Sequence, residues 1–143
     1  MSREMTDAET REFLSGGTRT GKLAVVRRDG AAHVVPVWFV VDGDGSLVFN
    51  TGADTVKGRA IRRDPRVSIC VDDESPPYAY VRVDGVAKIS DDLDAMLAWA
   101  TAIGRRYMGE GLAEAFGRRN AVAGELLLRV TPTRVVARAG IAD

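Results

Sequence analysis

The stretch SLVFNTGADTVKGRAIRRDPRV, residues 46–67, runs from a strand through a tight loop into a short basic helix. Ser46–Asn50 is β-prone, and Thr51, Gly52, Ala53 and Asp54 form a turn-rich loop. The helix begins near Asp54 or Thr55 and stops at Asp64-Pro65, because the residue before a proline is pushed out of the helical region. The first backbone N–H groups of such a helix lack intrahelical partners and sit at the positive end of its dipole, so its head is a natural anion site. Thr55 adds a hydroxyl there and Lys57 a full charge. At about 100° per residue, Lys57 shares a side with Ile61, which should pack inwards, while Arg59, Arg62 and Arg63 project outwards.

Upstream of this stretch, KLAVVRR (22–28) and AHVVPVWFVV (32–41) are strands joined by the Asp29-Gly30 hairpin turn, and DGDG (42–45) turns the chain into SLVFN. Pro36 cannot donate a ladder hydrogen bond, which assigns it to an edge or a bulge. The run around it shows no alternation, so both of its faces should be covered. Downstream, RVSICVDD (66–73) is a strand and AYVRVDGVAKI (79–89) alternates cleanly, with Ala79, Val81, Val83, Ala87 and Ile89 on one side and Tyr80, Arg82, Asp84 and Lys88 on the other. DDLDAMLAWATAIGRRYM (91–108) is the longest helix, with an apolar stripe of Leu93, Met96, Leu97, Ala100 and Tyr107. A short helix around LAEAFGRR (112–119) follows, and GELLLRVTPTRVVARAG (124–140) closes the chain as one or two strands broken near Pro132. At the start, Thr6 and Glu9 form a capping box for a helix over residues 7–14. About six antiparallel strands with few helices and no βαβ alternation predict a mainly β (α+β) fold, a small antiparallel barrel in a single domain spanning residues 1–143.

Twenty Lys and Arg balance twenty Asp and Glu, which argues against nucleic acid and against an anionic membrane surface as partners. The charged N-terminal segment has no apolar signal core, and no apolar run reaches the length of a membrane span, so the expectation is a cytoplasmic protein. Cys70 is the only cysteine and reads as a small buried hydrophobe; His33 is the only histidine and has no positioned partner. These two residues exclude an intrachain disulfide and a histidine- or thiolate-built metal site. GADTVKG lacks the Lys-[Ser/Thr] ending of a phosphate-binding P-loop. The acidic pairs Asp42/Asp44, Asp72/Asp73 and Asp91/Asp92 flank turns and helix starts. No side chain reads as a nucleophile and the catalytic residues are unassigned, so chemistry here would be carried by an organic cofactor.

The segments GTRTGKLAVVRRDGAAHVVPVWFV, VFNTGADTVKGRAIRRDPRVSICVDD and YVRVDGVAKI together resemble the pyridoxamine 5'-phosphate oxidase-like superfamily, closest to its F420-dependent branch of flavin/deazaflavin oxidoreductases. The resemblance extends from about Thr18 to the C-terminal segment. It implies a six-stranded split β-barrel of the FMN-binding type and a homodimer with the cofactor in a groove between subunits. It also implies cofactor contacts. Lys57, Thr55 and Arg59 would hold the phosphate, and Val35, Pro36, Val37 and Trp38 would lie beside the ring system. Asn50 and Thr51 would approach it from the next strand, and Tyr80 would reach it from the partner subunit. FMN-using members often have Ser-Arg-Lys where this chain has Thr55-Val56-Lys57, and an arginine near the position of Val35. That difference favours F420 over FMN and argues against pyridoxamine phosphate oxidation. The resemblance therefore implies hydride transfer from reduced F420 to an electron-poor conjugated small molecule (an enone, lactone, quinone or tetrapyrrole), with solvent, Tyr78 or Tyr80 supplying the proton. An FMN enzyme on the same barrel, or a binding protein without turnover, is the alternative. A homodimer is also expected because one chain has too little helical cover for both faces of residues 33–41.

Overall fold

A computed structural model describes residues 1–143. The turns fall where Gly and Asp allow them. Asp29 Oδ1 accepts from the N–H of Ala31, and Gly30 takes a φ of +83° that other residues rarely adopt. This hairpin joins β2 (Gly21–Val26) to β3 (Ala32–Val37). The chain then breaks at Trp38-Phe39, resumes as β4 (Val40–Val41), and returns through the DGDG turn as β5 (Leu47–Gly52). Helix α2 (Val56–Arg63) leads into β6 (Arg66–Asp73) and β7 (Ala79–Ser90). Helices α3 (Leu93–Met108) and α4 (Glu110–Asn120) form a hairpin, and β8 (Glu125–Ala139) closes the fold. Before β2 lie β1 (Arg3–Glu4), paired with β8, and α1 (Asp7–Ser15), whose capping box is formed by Thr6 and Glu9.

All pairings are antiparallel, and the strand order is β3-β2-β6-β7-β8-β5-β4. The two ends of this path, β3 and β4, are joined in sequence by Trp38 and Phe39 alone, so the sheet curls round and meets itself as a split barrel. The long apolar run expected as one strand is thus two, and with β1 the sheet counts eight strands in place of six. Pro36 lies on β3, which ends the path, where its missing N–H costs no ladder bond. The closing segment is one strand of fifteen residues, with a register shift opposite Asp84/Gly85 at Pro132. A Cβ on Gly85 would stand 2.5 Å from the Thr131 carbonyl oxygen, so glycine permits the bulge.

The barrel interior is filled from alternate positions: Leu23 and Val25 on β2, Leu47 and Phe49 on β5, Ile69 and Val71 on β6, Val81 and Val83 on β7, and Leu128 and Val130 on β8. Ala60 and Ile61 bring α2 into the same core. On β6 the outer side carries Ser68, Cys70 and Asp72. Cys70 is therefore half-buried on the outer face and not in the core, because its neighbours Ile69 and Val71 take the inward positions. The expectation of cover on both faces of the long apolar run also needs correction within one chain: Val34 is 62% exposed and Pro36 is exposed, with no helix over them.

The α3–α4 hairpin packs against the other side of β5. Its stripe is Met96, Ala100, Ile103 and Gly104, while Leu93 and Leu97 point to solvent. A Cβ on Gly104 would lie 2.8 Å from Phe116, and one on Gly117 would lie 2.0 Å from the Thr101 hydroxyl, so the two helices approach through their glycines. Arg106 ties the hairpin to the barrel. Its guanidinium donates to the carbonyls of Phe39 and Leu14, both at 2.7 Å, and of Gly16 and Gly17, and it lies over the Phe39 ring.

Candidate cofactor site

The β5–α2 junction gathers four of the residues expected in a site. Thr55 is the N-cap of α2: its hydroxyl accepts from the N–H of Gly58 at 3.0 Å and donates to the Gly52 carbonyl at 2.8 Å. Thr51, buried at 4% exposure, places its own hydroxyl 3.2 Å from that of Thr55. These bonds fix the loop so tightly that a Cβ on Gly58 would stand 2.2 Å from the Gly52 carbonyl oxygen. The cap satisfies one of the free N–H groups at the helix head and leaves those of Val56 and Lys57 without intrahelical acceptors. Lys57 is half-buried and enters no ion pair within 4 Å, whereas Arg59, Arg62 and Arg63 are exposed, so the wheel reading of this helix holds.

Asn50 stands on the face of β5 that looks towards α3, opposite Leu127. Its Nδ2 is buried and has no acceptor. On the same face, diagonal to it, β8 presents Glu125, which pairs in register with Gly52. One Glu125 oxygen, Oε2, is buried and has no donor. Burial raises its carboxyl above the usual carboxylate range, and Lys57 pulls it back the other way. An orphaned amide donor and an orphaned carboxylate oxygen thus share one face of β5 and β8, beside the loop that leads into α2 and its lysine without an ion pair. Neither buried group would be left unpaired without cost in a site that stays empty.

The other expected residues lie elsewhere. Val35, Pro36 and Val37 occupy β3, opposite Leu23, Lys22 and Gly21; Val37 is buried, Val35 half-buried and Pro36 exposed. Trp38 stacks on Tyr107 with ring centroids 5.0 Å apart and planes within 3°, against Phe116 on its other flank. The Tyr107 hydroxyl donates to the Arg19 carbonyl at 2.8 Å and accepts from the Phe39 N–H at 3.3 Å, and burial raises its pKa. The Trp38 ring is therefore held in place while 39% of the residue stays exposed. Tyr80 pairs with Asp72 and Arg138 on β7, which β8 separates from β5, so within one chain it stands apart from Lys57.

Arg59 lies in a groove of about 310 Å³ whose other walls are Arg27 and Arg28 from the β2–β3 hairpin and Val56 and Arg63 from α2. Arg63 also donates to the Val26 carbonyl, which ties α2 across the seam to β2. Glu125, Arg27 and Arg28 stand beside the expected residues, and the linear reading did not include them. Glu125 joins the site only through the β5–β8 register, and the two arginines only through the docking of α2 on the hairpin.

The profile of the pyridoxamine 5'-phosphate oxidase family matches residues 6–139, and the chain belongs to that family, whose members include oxidoreductases. Among solved structures it is similar to an F420 reductase, with 31% identity, coverage of 87% of this chain and 94% of that one, and a TM-score of 0.69. It is also similar to the conserved hypothetical protein Rv2991 of Mycobacterium tuberculosis, at 26% identity, 95% and 86% coverage and a TM-score of 0.83. A FAD-binding protein of Mesorhizobium loti shares the fold at 24% identity, 96% coverage of both chains and a TM-score of 0.67. No curated protein matches the chain. No helix is long and apolar enough to cross a membrane.

Proposed function

We propose that this chain is a coenzyme F420-dependent oxidoreductase. The observation that carries the reading is the head of α2, where one half-buried, unpaired lysine meets a capped helix start. One inward cation with free backbone N–H groups suits the single charge of a phosphodiester. The similarity to an F420 reductase at 31% identity supports the same choice. The orphaned Asn50 amide fits a further polar group of a bound ligand. When bound, reduced F420 supplies a hydride from its deazaflavin carbon to an electron-poor conjugated acceptor such as an enone, lactone, quinone or tetrapyrrole.

The chain's own part is to bind, orient and shield. Lys57 and the free α2 N–H groups would anchor the phosphate, and Thr55, whose proton goes to the Gly52 carbonyl, holds the loop that presents them. The exposed Arg59, with Arg62, Arg63 and the hairpin arginines, faces the anionic tail. Pro36 and the clamped Trp38, backed by Val35 and Val37 from the core, would offer an apolar wall to the rings, and Asn50 and Thr51 would fix their approach. Orientation of two flat reactants and exclusion of water are the main contributions expected of such a site. A second copy of the chain would cover the bare apolar face around Val34 and Pro36 and bring its Tyr80 to the groove, which makes the working unit a homodimer. The proton that follows the hydride comes from solvent, Tyr78 or Tyr80. The reading places the protein in the cytoplasm.

The test is a titration of the purified protein with F420 and FMN side by side, followed by a screen of acceptors with reduced F420. Tighter binding of F420 and its oxidation by one acceptor class are expected. Tighter binding of FMN overturns the cofactor choice. Binding of F420 without turnover by any acceptor would make the protein a cofactor binder and not an enzyme.

A further inference from the structure

Glu125 is an odd neighbour for an anion site. It follows Gly124 directly, and the Gly124 carbonyl accepts from the N–H of Ala53, so the start of β8 is laced to the loop that precedes α2. Its register partner is Gly52, and an ideal Cβ on Gly52 would come within 3.7 Å of Glu125 Oε2. The carboxylate thus lies directly beneath the loop whose far side is the head of α2. Oε2 has no donor within the protein. Lys57 is the charged group whose field reaches it. Of the other charged groups on the neighbouring elements, Asp54 in the loop is exposed, and at the start of α3 Asp92 caps the helix and Asp94 lies in its first turn. On β5, Asn50 and Gly52 carry no charge, Thr55 caps the helix, and residues 121–124 are Ala, Val, Ala and Gly. Arg129, further along the same face of β8, is held by Asp42 at 2.6 Å.

Resting on the proposed anion site, we propose that Glu125 is the resident counter-charge of Lys57, and that an anion arriving at the head of α2 makes Glu125 take up a proton from solvent. A second negative charge in this partly buried place repels the carboxylate and competes with it for the same lysine. Protonation removes the repulsion and turns Glu125 into a hydrogen-bond donor. Burial already tilts Glu125 towards the protonated form.

The sign follows from linkage. The carboxyl titrates higher with the anion bound than without it, so binding is tightest at pH below the free protein's value. It weakens as pH rises from the free value to the bound value, and is flat above that. Each unit of separation between the two values is a tenfold change in dissociation constant.

The probe is sulfate, which has no proton to gain or lose between pH 5 and pH 8. At constant ionic strength, its binding is followed by the backbone amide shifts of Lys57 and Gly58, and Glu125 by its carboxyl ¹³C shift. In the wild-type chain, sulfate should bind more weakly at pH 8 than on the acid side of the Glu125 titration, on the order of ten-fold for each unit by which sulfate moves that titration up. Glu125→Gln should bind at pH 8 as tightly as the wild type does at the acid end of its profile, with no slope. His33→Gln, which removes the only histidine, should keep the wild-type slope. Sulfate binding that Lys57→Ala abolishes, but that is flat with pH and unchanged in Glu125→Gln, overturns the coupling and leaves the anion site standing. Binding that ignores Lys57→Ala at every pH removes the anion site and the coupling with it.

Discussion

Gly58 should not tolerate a side chain, although it sits inside a helix where alanine is intrinsically better. Gly58→Ala gains roughly 1 kcal/mol of helix propensity. Against this, the new Cβ would stand 2.2 Å from the Gly52 carbonyl oxygen, 3.1 Å from the Thr55 hydroxyl and 3.2 Å from the Ala53 carbonyl oxygen. The first overlap is more than about 1 Å inside an ordinary contact, and its partner is backbone held by the Thr55 bonds. Overpacking of a well-packed site costs about 1–3 kcal/mol, and a clash with fixed backbone belongs at the top of that range. The net loss is therefore about 2 kcal/mol, equivalent to roughly 5–8 °C in Tm for a domain of this size. The matched control is Gly111→Ala. Gly111 is a helical glycine on α4 with nothing within 4 Å of its Cβ position, so it should gain up to about 1 kcal/mol. Thermal melts and urea titrations of the two variants should move in opposite directions. Because the clash lifts α2 from β5, Gly58→Ala should also weaken anion binding. A Gly58→Ala protein as stable as the wild type would show that α2 is not seated on the Gly52 carbonyl and would undo the geometry of the site.

Three further outcomes are expected. Lys57→Ala should weaken F420 binding by about 1.5–3 kcal/mol, the scale of a charge-assisted hydrogen bond; an unchanged dissociation constant at low salt would remove Lys57 from the site. F420 with more tail glutamates should bind tighter at low salt through Arg59, Arg62, Arg63, Arg27 and Arg28, and the advantage should shrink as salt rises, because exposed charges are screened; equal affinities for short and long tails would leave these arginines a solvated face. Light scattering at micromolar concentration should report a homodimer, and a monomer would contradict the placement of Tyr80 at a groove between subunits.

The fold was legible where local chemistry decides it. The Asp29-Gly30 turn, the stop at Asp64-Pro65, the capping box at Thr6 and the alternation of residues 79–89 each act over a few positions, and each appears as read except that Ile89, at the end of the strand, is exposed. Errors fell where a non-local contact decides. Residues 34–41 are uniformly apolar, so nothing local marks Trp38-Phe39 as a break. The break exists because Trp38 stacks on Tyr107 and the Phe39 backbone bonds to Tyr107 and Arg106, about seventy residues later. Leu93 and Leu97 suit a helical stripe as well as Ile103 does, and only the docking of α3 on β5 selects the latter. Cys70 has the same apolar neighbours on either reading, and the phase of β6 turns it outward.

The same division runs through the site. The half that α2 carries was readable, because a cap, a lysine and an inward isoleucine lie within one helical turn or two of each other. The half that β8 carries was not, because a one-residue change in the β5–β8 register would send Glu125 to the opposite face. The register itself is set by the buried run Leu126, Leu127 and Leu128 against Thr51, Asn50 and Phe49, where inward and outward positions cannot be exchanged without exposing Leu128 and burying Arg129. Packing in the barrel therefore fixes the electrostatics at its seam. The core chooses the register, and the register places one carboxylate beneath the loop that leads to the lysine of α2.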